Sequence, residues 1–163
     1  IDFSLTELSV QAGVSKSSMS RFLDILEKNE LVNVIDRGIV FRIRAKTDSY
    51  QFIKRKIVYN LNAIYESGIV EYLDEFLNHP KAIILFGSFR LGEDRSDSDI
   101  DIAIETTENV DVGTVRPKGI DAFEARLGRK IQVLLFNRKN IAPNLFTNIA
   151  NGILLLGGLE VKV

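Results

Sequence analysis

Leu85-Phe86-Gly87-Ser88-Phe89-Arg90-Leu91-Gly92-Glu93-Asp94-Arg95-Ser96-Asp97-Ser98-Asp99-Ile100-Asp101-Ile102 is the stretch on which the reading of this chain turns. It opens at the end of a continuous apolar run, Ala82 to Phe86, which fits a buried strand. Gly87 has no Cβ, so the backbone there can approach a ligand closely. Ser88 stands where a helix would begin, and its hydroxyl and the free N–H groups beside it suit a phosphate. A polar spacer follows. Asp99 and Asp101 are then one residue apart on a second expected strand, Ile100 to Ile104. Side chains at i and i+2 share a face, so the two carboxylates point the same way. Two like charges held side by side repel unless a cation lies between them. Magnesium, a hard cation with oxygen ligands, is the natural one, especially when it also bridges phosphates. Asp-x-Asp alone is common and reads as a solvated strand end. The conjunction of apolar strand, Gly-Ser, helix-length spacer and Asp-Ile-Asp within an apolar strand is rarer.

That conjunction resembles the nucleotidyltransferases of the DNA polymerase β superfamily, most closely the minimal nucleotidyltransferases of prokaryotes. Their fingerprint reads here as Gly87-Ser88, Arg90-Leu91-Gly92-Glu93 and Ser98-Asp99-Ile100-Asp101. The resemblance covers about residues 80–140. It implies an α/β domain with a mixed sheet and an NTP, ATP in the first instance, held by Gly87, Ser88, Arg90 and Ser98. It also implies Mg²⁺ or Mn²⁺ held by Asp99 and Asp101, which become the catalytic carboxylates. The family usually carries a third carboxylate on a later strand. The run Arg129 to Leu134 matches that strand, and Gln132 stands at the acidic position. An amide oxygen can ligate a metal, but it carries no charge and is a poor general base. Residues that could compensate include Asp121 and Glu124, though nothing in the sequence places them there.

The flanking sequence is built differently. Ser4 with Glu7 is a capping-box pattern, and Leu5, Leu8 and Ala12 fall on one helical face. After Gly13, Ser15 can cap a second helix running to about Asn29, with Met19, Phe22, Leu23 and Leu26 as its apolar stripe. Leu31–Ile35 and Ile39–Ile43 around Asp36-Arg37-Gly38 read as a hairpin. Two helices joined by a Gly-containing turn and followed by a hairpin is the winged helix-turn-helix order. Such a module is expected to bind duplex DNA through Lys16, Ser17, Ser20 and Arg21 on the second helix, with Arg42 and Arg44 on the hairpin. Asp24 and Glu27 on that helix weaken the DNA reading, and a protein-interaction or dimerisation module is the rival.

The expected architecture is therefore α+β in two modules. Residues 1–46 form the winged helix-turn-helix, 47–79 the connecting helices, and 80–163 the nucleotidyltransferase domain. Thr47-Asp48 is expected to start the connecting helices. Tyr50, Ile53, Ile57, Leu61 and Ile64 then form either core or the seam of a homodimer. A helix over 120–127, a strand over 130–136, a helix opened by Pro143 and a short strand over 153–156 complete the chain.

Composition supports this organisation. The 163 residues are 45% hydrophobic and 26% charged, which suits folded domains. Residues 1–60 hold ten Lys/Arg against seven Asp/Glu, and residues 61–163 hold eleven against fifteen. A basic front and an acidic rear suggest modules with different partners. No cysteine is present, which excludes disulfide scaffolds and thiolate metal sites, and His79 is the only histidine. His79 precedes Pro80 and reads as a helix-end residue. No apolar run reaches the roughly 20 residues that span a bilayer, so no membrane partner is expected and the composition fits a cytoplasmic protein. A chain opening at Ile1 rather than Met is expected to lack its native beginning. The expected activity is Mg²⁺-dependent transfer of NMP from an NTP to a hydroxyl. The acceptor could be a partner protein, as in antitoxins that modify a toxin. The alternative is a DNA-binding transcriptional regulator whose degenerate domain only binds nucleotide or serves as scaffold.

Overall fold

A computed structural model describes residues 2–36 and 41–160. Its contacts divide the chain into two units, residues 1–56 and 57–163.

In the first unit, α1 (Leu5–Gln11) starts in the expected capping box. The Ser4 N–H donates to Glu7 Oε2 at 2.7 Å, and the Glu7 N–H donates to Ser4 Oγ at 3.2 Å. α2 (Lys16–Lys28) is capped by Ser15, whose hydroxyl accepts from the Ser18 N–H. β1 (Val32–Asp36) and β2 (Phe41–Ala45) pair antiparallel, and Phe3 bridges to Ile43 on the other side of β2. Met19, Leu23 and Ile43 are the buried centre, with Leu5, Leu8, Leu26 and Val34 packed around them. Phe22 departs from the expected stripe. It is 48% exposed, because three to four residues per turn carry it to the rim of the face that Met19 and Leu23 bury. The expected turn at Arg37-Gly38 and the residues Ile39-Val40 lie outside the described residues.

α3 (Tyr50–Ser67) runs across the division between the units. Its cap is Ser49 rather than Thr47-Asp48: the buried Ser49 hydroxyl accepts from the N–H groups of Gln51 and Phe52. Tyr50 is 72% exposed and Ile64 fully buried, so the apolar repeat enters the core only in its later turns.

The second unit continues with α4 (Ile69–Phe76), β3 (Ala82–Phe86), α5 (Gly87–Leu91), β4 (Ile100–Glu105), β5 (Gly113–Val115), α6 (Ile120–Leu127), β6 (Ile131–Phe136), α7 (Pro143–Ala150) and β7 (Ile153–Gly157). The five strands form one mixed sheet in the order β5-β6-β4-β3-β7, in which only β4 and β6 run parallel. Alternation sorts the strand residues onto two faces. Ile83, Leu85, Ile100, Ile102, Ile131 and Val133 bury one face beneath Ile64, Ile69, Leu73, Phe89 and Ile120. Ala82, Ile84, Ala103, Leu134 and Phe136 bury the other beneath Ile149, Leu145 and Phe146 of α7. Burying an aliphatic side chain is worth about 1.5–3 kcal/mol, so these two layers hold the sheet rigid. No helix of the described residues is long and apolar enough to cross a membrane.

Candidate active site

The central strand β4 sets the geometry. Asp101 is its second residue and shares a face with Ala103, the α7 face of the sheet. Across the antiparallel ladder its partner is Phe86, the last residue of β3. Across the parallel ladder its partner is Gln132 of β6. Asp99 directly precedes β4 rather than lying in it, and still reaches the same place: Gln132 Nε2 donates to Asp99 Oδ2 at 2.7 Å.

Gly87 follows Phe86 and has φ +72°, a left-handed conformation that favours glycine. A Cβ at Gly87 would lie 2.1 Å from Asp101 Oδ2 and 3.0 Å from its Cγ. The missing side chain of Gly87 is thus the space the Asp101 carboxylate occupies. Ser88, half-buried, lies in the first turn of α5 beside it. Arg90 points from the same short helix. Its Nε is buried and, among the described residues, finds no hydrogen-bond partner. Phe86, Gly87, Arg90 and Leu91 line a cavity of about 490 Å³ together with Asn148 and Asn151 of α7. Those two asparagines carry no motif, and the sequence offers only the amphipathic spacing of α7 to find them. Ser98 has a different place. Its hydroxyl accepts from the Arg95 N–H at 2.9 Å and closes the turn that leads into Asp99. A larger cavity, about 770 Å³, lies at the far end of β4 around Glu105, but there Lys81 and Arg138 already pair with that carboxylate.

Among the described residues neither Asp99 nor Asp101 forms an ion pair with a lysine, arginine or histidine. Burial pushes the Asp101 carboxyl up from its ordinary value, and the Asp99 charge pushes it further in the same direction. Two carboxylates of hard oxygen donors suit one Mg²⁺ or Mn²⁺ completed by phosphate oxygens and water. Gln132 offers only a neutral oxygen, and among the described residues no group of three or more His, Cys, Asp or Glu side chains is arranged to hold a metal.

The expectation that Asp121 or Glu124 completes the site is corrected. Both lie on α6, which covers the opposite face of the sheet. Glu124 is spent there: it accepts from Arg116 at 3.0 and 3.2 Å, from Lys130 at 3.0 Å and from the Ile131 N–H at 3.0 Å. Asp121 accepts from Arg116 at 2.5 Å. The Arg116 guanidinium, with the Ile131 N–H and Lys130, holds Glu124 down at about 2. His79 caps the end of α4 with Asp74, 2.8 Å away, and lies outside this site.

In the first unit Lys16, Ser17, Ser20, Arg21 and Arg42 are exposed. Ser17 shares a hydrogen bond with Ser15. Arg44 is less available than expected, because its guanidinium pairs with Asp2 at 2.6 Å.

Residues 68–158 match the family described as polymerase beta, nucleotidyltransferase. The chain belongs to this family. No curated protein and no solved structure matches it.

Proposed function

We propose that the second unit binds a nucleoside triphosphate with one Mg²⁺ and transfers its nucleotidyl group to a hydroxyl, the hydroxyl oxygen bonding to the α-phosphorus as the bond to the β-phosphate breaks and pyrophosphate leaves. The observation that carries this is the Asp99–Asp101 pair, uncompensated by any described cation, with Asp101 packed against the Cβ-less Gly87. Asp99 and Asp101 would hold the metal that escorts the triphosphate. When bound, that metal neutralises charge developing on the phosphoryl oxygens. Ser88 and Arg90, beside the 490 Å³ cavity, supply a hydroxyl and a guanidinium for the phosphates, and Asn148 and Asn151 supply amides for the remainder of the nucleotide. Gly87, having no Cβ, leaves the Asp101 carboxylate its place against the backbone. The acceptor hydroxyl, on a partner protein by analogy with toxin-modifying antitoxins, would enter beside Gln132. That residue cannot take its proton efficiently, so turnover is slow.

The first unit is read as a winged helix that binds duplex DNA, supported by the helix, helix and hairpin order and by the exposed Lys16, Ser20, Arg21 and Arg42. A second reading rests on Gln132, whose amide already donates to Asp99. In that reading the domain only binds nucleotide or serves as scaffold, and the protein is a transcriptional regulator. Incubation with α-labelled ATP, Mg²⁺ and lysate from the native cell separates the two. Label transferred to a protein supports the enzyme. Saturable ATP binding with no transfer supports the nucleotide-binding regulator, while absence of both binding and transfer overturns the enzyme and leaves the domain as scaffold.

A further inference from the structure

Asn60 lies on α3 and is 3% exposed. Its amide donates both of its protons, to Phe89 O at 2.8 Å and to Asp94 Oδ1 at 2.8 Å. Phe89 belongs to α5, the helix that Gly87 opens. Asp94 lies in the loop from α5 to β4, and its side chain is 1% exposed. Arg129, just ahead of β6, reaches Asp94 Oδ2 with one amino nitrogen at 3.3 Å and donates to the Arg95 carbonyl with the other. Three segments therefore meet on one buried carboxylate: α3, the loop before β4, and the lead-in to β6.

Burying a charge is expensive, and apolar side chains of similar volume often serve stability as well or better. What a satisfied polar network adds is a single permitted arrangement. The loop needs one. Glu93, Arg95, Ser96 and Asp97 around Asp94 are exposed, so little apolar packing fixes this loop. At its end stand Asp99 and Asp101, whose use depends on where the loop delivers them relative to Gly87 and Gln132.

We propose that Asn60, Asp94 and Arg129 are positioning residues for the Asp99–Asp101 site. They hold the loop so that Asp101 stays against Gly87 and Asp99 beside Gln132, which makes metal-nucleotide binding depend on a side chain delivered by α3. None of the three lines the cavity beside Gly87. The inference rests on the nucleotide-binding reading above.

The test uses the full chain and Mg-ATP, with affinity measured by calorimetry well below the melting temperature of every variant. Mn²⁺ affinity, read by electron paramagnetic resonance, is followed in parallel. Asn60→Ala and Arg129→Ala are each expected to weaken Mg-ATP and Mn²⁺ about tenfold or more. The double variant should lose little beyond either single one, because both act through Asp94. Arg129→Lys, which keeps the charge, should recover part of the loss. Arg116→Ala breaks the Glu124 cluster and should lower the melting temperature without changing either affinity. Wild-type affinity in a destabilised Asn60→Ala overturns the proposal, as does an equal affinity loss in Arg116→Ala. If Asn60→Ala does not fold, Asp94→Asn decides: weakened binding supports the proposal and unchanged binding overturns it. Absence of Mg-ATP binding in the wild type overturns the nucleotide reading and this proposal with it, and is recognised because no variant is needed to see it.

Discussion

Two groups of carboxylates lie on opposite faces of the same sheet, and they are treated in opposite ways. On the α6 face Glu124 is enclosed by Arg116, Lys130 and a backbone N–H, and its proton affinity is depressed to about 2. On the α7 face Asp99 and Asp101 stand together with an amide for company and no described cation, and the Asp101 carboxyl is pushed up. The same residue class therefore does two jobs. Acid that is neutralised on site builds the fold, while the acid pair at the start of β4 has no described counter-charge beside it. Composition cannot separate these, because the decision is made by what the opposite strand and helix supply.

The comparison can be broken most severely at the α7 face. Asp99→Asn with Asp101→Asn should abolish the rise in melting temperature that Mg²⁺ and ATP give the wild type. The unliganded protein should not be destabilised, since repulsion is removed. Gly87→Ala should abolish the same shift without altering a polar group, because the added methyl takes the Asp101 position. A retained shift in either variant would sink the site. Next in size is Gln132→Asp. It supplies the missing negative charge one strand over, and is expected to raise any transferase rate by about 10²–10⁴-fold. An unchanged single-turnover rate would mean that Gln132 is not the residue limiting turnover. Glu124→Gln tests the other face: stability should fall by about 1–3 kcal/mol in denaturant unfolding, with the ligand-induced shift intact.

The smallest effect is in pH. Glu124 is depressed from 4.5 to about 2, so its stabilisation is complete above about 4.5 and is lost as pH falls toward 2. Asp101 is raised, so its sign is reversed: its ionised form costs stability, and acid relieves that cost. Between neutrality and about pH 3, Glu124→Gln should flatten the acid limb of the melting-temperature curve. Asp101→Asn should steepen it. Parallel curves for the two variants would show that the faces do not differ as described.

Much of this architecture was legible because local patterns and tertiary pairing agree. Ala82–Phe86 and Ile100–Ile104 read as buried strands and are such, and the Ser4–Glu7 cap formed as its spacing predicts. The alignment of Gln132 with Asp101 follows from two apolar runs, and the ladder puts them in register. What escaped the sequence was set by partners. β5 was not foreseen, since three residues, Gly113-Thr114-Val115, carry no usable alternation and exist as a strand only because β6 offers an edge. Asp121 and Glu124 read as acids that could compensate for Gln132, with nothing in the sequence to place them there, and α6 carries them to the opposite face. Asn60 and Asp94 gave no signal, for a lone polar residue on a helix or in an acidic loop reads as solvated until its buried partners are seen.

The place where the two units divide has its own consequence for how the chain can be cut. The boundary between Lys56 and Ile57 falls inside α3, an 18-residue helix about 27 Å long at 1.5 Å per residue. Proteases need an extended stretch of backbone, and a hydrogen-bonded helix denies them one. Limited digestion should therefore nick surface loops before it separates the units. A shortened chain starting at Ile57 would begin mid-helix, stripped of the Ser49 cap, three residues ahead of Asn60. Fraying at that new end would reach the loop before β4 first, so nucleotide affinity measured on such a fragment would report the cut as much as the site.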